Sequence, residues 1–111
     1  MESDEAVGAT TAAEYALWFR ALADGTRVRI VSLLARAGRP MSVGEIVRRV
    51  GVGQSTVSHH LKILADVRFV LVEHRGTANL YRINEACVRC FPTAADVVMG
   101  RTVPARPTVG G

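Results

Sequence analysis

The stretch from Gly53 to Leu64 constrains this chain most, because its apolar residues recur at the spacing of a helix. On a helix, Val57, Leu61 and Leu64 form one narrow apolar stripe. The opposite face offers amide, hydroxyl, imidazole and ammonium groups and no carboxylate: Gln54, Ser55, Ser58, His59 and Lys62. Such side chains suit the base edges and flanking phosphates of a DNA major groove. An ordinary amphipathic surface helix has the same pattern, so the neighbouring residues must decide between the two.

The residues before this stretch predict a second, shorter helix that ends at Val50. Ser42 followed by Glu45 is the pattern of a capping box at a helix start. A glycine-containing turn at 51–53 joins the two helices, which is the signature of a helix-turn-helix. In that motif the second helix enters the groove. Here the second helix is the one with the polar face, which favours DNA binding.

The residues after the stretch predict a β-hairpin. Segments 69–75 and 80–83 are rich in β-branched, aromatic and other apolar residues, and Gly76–Asn79 is expected to form the loop between them. Cationic or titratable side chains lie at or near this hairpin: His74, Arg75 and Arg82. A hairpin that follows a recognition helix often contacts phosphate or a minor groove, where arginine is favoured. The alternative is a solvated hairpin tip.

The remaining pattern completes a single small domain. A helix is expected from Ala12, and a second one between its cap Asp24 and Gly38, where the apolar residues form a wide face that predicts a central, well-buried helix. A last helix is expected from Pro92 to Met99. The predicted fold class is mainly α with a small β-hairpin, a winged helix-turn-helix of about five helices and a two-stranded wing. We expect a disordered acidic tail at 1–11, the DNA-binding and dimerisation domain at 12–100 and a disordered tail at 101–111.

Charge and composition favour a nucleic-acid partner over a membrane or an enzymatic role. The chain carries a formal net charge of +4, although its first residues are acidic, and a basic domain gains affinity for polyanions by counterion release. No apolar run approaches the roughly 20 residues that span a bilayer, and no secretory signal opens the chain, so we expect a cytoplasmic location. The sequence shows no paired carboxylates in a plausible cleft, no nucleophile–base arrangement and no phosphate-binding glycine loop, so no enzyme activity is predicted.

The run from Gln54 to Leu64, preceded by Ala21–Asp24 and Arg27–Ile30 and followed by the wing, resembles the ArsR/SmtB family of bacterial metalloregulators. The resemblance covers most of the chain, roughly residues 12–99. It implies a homodimeric repressor whose first and last helices form the dimer interface and which releases double-stranded operator DNA when a metal or metalloid binds. The DNA contacts that we expect are Gln54, Ser55, Thr56, Ser58, His59 and Lys62, with Arg75 on the wing.

The chain departs from the family pattern in four places. Gly25 stands where proline often follows the cap aspartate, and Arg68 stands where glycine usually follows the recognition helix, which predicts an irregular helix end. The family's cysteine motif in the first helix of the helix-turn-helix is absent. Asp96 also lacks the histidine companion that the zinc site on the last helix requires. Neither common sensor site can therefore be transferred to this chain.

Cys87 and Cys90 are the remaining candidate effector site, and three hypotheses about their role stay open. Two thiolates are too few for a closed zinc site but suit soft ions: trivalent arsenic or antimony, an organoarsenical, or mercury. A third sulfur for inorganic arsenic would have to come from the other subunit or a small thiol. The pair could instead form a disulfide or persulfide, or simply pack as small apolar residues. No organic cofactor is expected, and a winged-helix protein–protein adaptor is the competing class.

Overall fold

The computed structural model describes residues 5–86, 96 and 98–100. In chain order the elements are α1 (Ala9–Ala21), α2 (Gly25–Ala37), β1 (Met41–Ser42), α3 (Val43–Val50), α4 (Gln54–Asp66), β2 (Val70–Arg75) and β3 (Ala78–Ile83). The predicted class, mainly α with a small antiparallel sheet, is confirmed. Residues 5–86 contain four bounded helices rather than about five. The last expected helix, the two cysteines and the tail at 101–111 lie wholly or mostly outside the described residues.

The helix boundaries follow from local chemistry. The backbone N–H groups of Thr26 and Arg27 donate to Asp24 Oδ1 over 2.8 and 3.1 Å, which caps α2. The Glu45 N–H donates to Ser42 Oγ over 3.1 Å and caps α3 in the same way. Gly38 and Gly51 end these two helices in the left-handed region, at φ of 65° and 72°, which suits a residue without a Cβ atom.

Three local expectations need correction. The carboxylate of Glu45 does not complete the capping box; it forms an ion pair with Arg39 instead. The first helix begins at Ala9, ahead of the expected Ala12. Of the broad apolar face expected on the second helix, only Ile30 and Leu34 are fully buried, and Val28 is 46% exposed.

The sheet has one strand more than the expected two-stranded wing. Its order is β1-β3-β2, with both neighbours antiparallel to β3. Met41 pairs with Tyr81 and Ser42 with Leu80, so a two-residue strand ties the start of α3 to the hairpin. The hairpin loop is also shorter than predicted, since β2 ends at Arg75 and β3 begins at Ala78. Gly76 adopts φ of 61° within this tight turn.

The hairpin of β2 and β3 is called the wing from here on. The core lies between the helices and the base of the wing. The apolar stripe of α4 is wholly buried, as predicted from its spacing: Val57, Leu61 and Leu64. Trp18 packs against this core, with its ring centroid 6.4 Å from that of Phe69. No helix in the described part of the chain is long and apolar enough to cross a membrane.

Candidate nucleic-acid interface

The outer face of α4 presents all the polar side chains that the sequence singled out on this helix. Because the three apolar residues face the core, the helix turns these side chains outward, and all of them are exposed: Gln54, Ser55, Thr56, Ser58, His59 and Lys62. Gly53 caps the helix without a side-chain hydrogen bond. The partial positive charge at this N-terminus is therefore open to an anion that lies beside Gln54.

Lys62 adds an exposed cation to this face. Its Nζ lies 3.7 Å from Asp66 Oδ2 one turn further along, and both side chains are highly exposed. Exposed pairs of this kind contribute only about 0.3–0.5 kcal/mol. Lys62 can therefore leave Asp66 for a phosphate at little energetic cost.

Arg75 lies at the end of β2, on the wing rather than on α4, and it is exposed. Its Nη2 is 3.3 Å from Glu73 Oε1. At the same end of the wing, His74 Nδ1 and Asn79 Oδ1 are 2.6 Å apart across the turn. Because the amide oxygen only accepts, His74 Nδ1 carries the proton. The structure thus presents six predicted residues on one helix face and the seventh on the neighbouring hairpin.

His60 is the exception on the recognition helix, because it is buried rather than presented. Arg27 Nη1 lies 3.1 Å from His60 Nδ1, and Arg27 Nε donates to the carbonyl oxygen of Ala21 over 2.6 Å. A guanidinium can only donate, so His60 Nδ1 accepts and a neutral ring carries its proton on Nε2. That atom lies 3.9 Å from Asp24 Oδ1. Arg27 therefore links α1, α2 and α4, a role that the sequence did not reveal.

The Asp24 carboxylate at the edge of this network is stabilised in its charged form. The pKa of Asp24 is lowered from 3.8, first by the backbone N–H of Arg27, with further contributions from the Thr26 N–H and the positive charge of the Arg27 side chain. A carboxylate whose pKa falls on folding adds stability above its unfolded-state pKa. This contribution is complete at neutral pH and is lost as the pH falls through the folded-state value.

The end of α4 is irregular, as the departure from the family pattern at Arg68 implies. Arg68 adopts φ of 68°, the left-handed region that favours glycine. The side chain of Asn84 donates to the Arg68 carbonyl oxygen over 2.8 Å, and the Asn84 N–H donates to the Phe69 carbonyl oxygen over 3.0 Å. These two bonds anchor the end of β3 to the turn that follows the recognition helix.

A metal centre is not evident in the described residues, among which no three His, Cys, Asp or Glu side chains cluster closely enough to hold an ion. His59 and His60 are adjacent but diverge, one toward solvent and the other into the core. Cys87 and Cys90, the candidate effector site, lie outside the described residues.

Several known proteins resemble this chain in sequence and in architecture. The sequence model of the bacterial regulatory protein arsR family matches residues 24–71. The HTH-type transcriptional regulator Rv2034 of Mycobacterium tuberculosis is 38% identical over 78 residues, which cover 70% of this chain and 71% of that protein. The arsenical resistance operon repressor of Bacillus subtilis is 36% identical over 72 residues, which cover 65% of this chain and 68% of that protein.

A solved structure agrees with the sequence matches. The homodimeric winged helix-turn-helix DNA-binding domain of Mb0332 from Mycobacterium bovis, described as a possible ArsR-family transcriptional regulator, aligns with a TM-score of 0.68 and 30% identity. The alignment covers 87% of this chain and 89% of that one. The matched family and the two relatives named above are transcriptional regulators and not enzymes. On fold, family match and relatives together, this chain belongs to the arsR family of bacterial regulatory proteins.

Proposed function

We propose that this protein is a homodimeric cytoplasmic repressor that binds double-stranded operator DNA through α4 and the wing. The observation that carries the proposal is the division of α4 into a wholly buried apolar stripe and an exposed polar face without a carboxylate until Asp66. The proposed base and phosphate contacts are Gln54, Ser55, Thr56, Ser58, His59 and Lys62, with Arg75 contacting phosphate or the minor groove from the wing.

Dimerisation is supported by α1 and by the homodimeric relative. Leu17 and Phe19 are exposed on α1, and large apolar side chains of this kind are suited to an interface between subunits. The domain of Mb0332 is homodimeric. A dimer would present two recognition helices to successive major grooves, about 34–36 Å apart. Sedimentation of the full chain at micromolar concentration would show a two-fold mass.

The DNA-binding face is tested by replacing Gln54, Ser58 and His59 together with alanine. Wild-type protein first selects an operator from a random-sequence duplex library. Since each lost base contact is worth about 1–3 kcal/mol, we expect the triple variant to bind that operator at least about 100-fold more weakly, as measured by fluorescence anisotropy.

Arg36→Ala is the matched control for this test, because Arg36 is an exposed residue of α2 that bonds Ser32 on its own helix. It should change operator affinity by less than about threefold, roughly one screened charge. Failure of the wild-type protein to enrich any sequence, or unchanged affinity in the triple variant, would contradict the proposed function.

We further propose that a thiophilic ion bound by Cys87 and Cys90 releases the operator. The support is chemical: two thiols three residues apart, in a relative of an arsenical resistance operon repressor, match the preference of trivalent arsenic, antimony or mercury for sulfur. Ion binding would change the segment between the wing and the expected last helix. Because that helix is expected to lie in the dimer interface, the relative orientation of the two subunits would change as well. A coupling free energy of about 1–3 kcal/mol would weaken operator binding 5–150-fold.

Titration of the protein–operator complex with arsenite, methylarsenite, mercuric and zinc ions tests this second step. We expect release by the thiophilic ions and little effect of zinc, because two thiolates do not complete its tetrahedral shell. The Cys87→Ser, Cys90→Ser protein should bind the operator normally and ignore every ion. Release by an oxidant or persulfide alone would instead support the redox alternative, and identical behaviour of both proteins under all conditions would exclude a thiol effector.

A further inference from the structure

The wing contains a carboxylate that engages two arginines at once. Glu73 Oε2 accepts from Arg82 Nε over 2.7 Å, and Glu73 Oε1 lies 3.3 Å from Arg75 Nη2. Arg75 is one of the proposed phosphate contacts. A carboxylate beside it is unexpected on a surface that approaches DNA, because the carboxylate repels phosphate and competes with phosphate for the same guanidinium.

The strand register explains why these three charges meet. Side chains two residues apart on one strand share a face, so Glu73 and Arg75 lie on the same side of β2. Arg82 pairs with Leu71 on the neighbouring strand, and residues in such a pair also share a face. Glu73 is therefore the only acidic side chain on the described part of this wing face, between two cations.

The two ion pairs differ in strength. Arg82 forms the shorter bond and its side chain is 41% exposed, whereas Arg75 forms the longer bond and is 66% exposed. The longer and more solvated bond is the easier one to exchange. Arg75 can therefore leave Glu73 for a phosphate, while Arg82 stays with Glu73.

We propose that Glu73 limits sequence-independent DNA binding by competing with phosphate for Arg75 while it holds Arg82 in place. This inference rests on the proposed DNA-binding function. With Glu73 present, the wing contributes little to binding of arbitrary DNA. To contact a phosphate, Arg75 must break its ion pair with Glu73, and the carboxylate of Glu73 then repels the phosphate beside it. The contact forms when α4 is seated in the groove and holds the wing against the backbone.

Replacement of Glu73 by glutamine tests this proposal, since the amide keeps an oxygen acceptor for Arg82 but removes the charge. The measurement is the affinity for a random-sequence duplex between about 50 and 200 mM salt, where each phosphate contact adds about 0.9 to the slope of log K against log salt. We expect Glu73→Gln to bind several-fold more tightly at about 100 mM salt and to steepen the slope by roughly that amount.

Two further variants make the result specific. Glu5→Gln removes the same charge from a residue before α1, outside the wing, and should leave the slope unchanged. Adding Arg75→Ala to Glu73→Gln should abolish both the gain in affinity and the steeper slope. An unchanged slope in Glu73→Gln, or a steeper slope that persists without Arg75, would overturn the proposal. A merely structural role would lower thermal stability without raising the slope.

The two proposals can fail separately. If wild-type protein shows no affinity for any duplex at low salt, the DNA-binding function itself is wrong. If wild-type protein binds with a measurable salt slope that Glu73→Gln does not change, only the role of Glu73 is refuted.

Discussion

Replacement of Leu61 by alanine is expected to lower the free energy of unfolding by about 3 kcal/mol, within the range of 2–5 kcal/mol for buried leucines. Leu61 is wholly buried on the inner face of α4, in the same core as Ile30 and Ile46. Its truncation removes apolar burial and leaves a cavity that the surrounding helices fill only in part. Against a typical stability of about 5–15 kcal/mol, this is a large loss.

The measurement is urea unfolding followed by the fluorescence of Trp18, the single tryptophan of the chain, at equal protein concentrations. The neighbouring residue provides the matched control. Lys62→Ala loses only an exposed ion pair with Asp66 and should change stability by less than about 0.5 kcal/mol, yet it should weaken DNA binding and flatten its salt dependence. Similar stability losses in both variants would contradict the assignment of the inner and outer faces.

Replacement of Arg27 by alanine should give the second large effect. We expect the free energy of unfolding to fall by about 2 kcal/mol, because the substitution removes a charged donor that serves two acceptors. The Ala21 carbonyl and His60 Nδ1 each lose a partner, and His60 is buried on the helix that carries the proposed DNA contacts. Operator affinity should therefore fall as well, under conditions where the variant remains folded. Urea unfolding and anisotropy measure the two effects.

Two arginine variants bracket this prediction. Arg36 lies on the same helix but bonds Ser32 at the surface, so Arg36→Ala should cost less than about 0.5 kcal/mol. Arg27→Lys keeps the charge, but a compact ammonium lacks the planar fork that reaches both acceptors. Its stability should lie between those of wild type and Arg27→Ala. Equal stability of Arg27→Ala and Arg36→Ala would show that the His60 contact contributes nothing.

The parts of the fold that the sequence predicts are those with local causes. Asp24 and Ser42 cap the helices that follow them because the carboxylate or hydroxyl acceptor and the N–H donor are two or three residues apart. The buried stripe of α4 follows from helical spacing alone. The irregular helix end at Arg68 was predicted from the family resemblance instead, because arginine stands where members usually have glycine, and its φ of 68° lies in the left-handed region.

The parts that the sequence does not predict depend on distant partners. Met41–Ser42 is too short to show strand periodicity, and it becomes a strand only because β3 lies beside it. Glu45 binds Arg39 rather than completing the capping box, since the geometry of the preceding turn brings a guanidinium within reach. Helical spacing does place His60 beside Val57 and Leu64 on the inner face of α4, but no local pattern identifies its partner Arg27, thirty-three positions away.

Ser42 belongs to both the helix-turn-helix and the sheet. Its hydroxyl caps α3, and its backbone pairs with Leu80 on the central strand of the sheet. The start of the first helix of the helix-turn-helix is consequently tied to the wing by backbone pairing. In the proposed dimer, we expect this pairing to limit changes in the separation of helix and hairpin within each subunit. Adjustment of the proposed dimer to operators with different half-site spacing would then come mainly from movement between the two subunits, and an effector that changes their relative orientation would change operator affinity most.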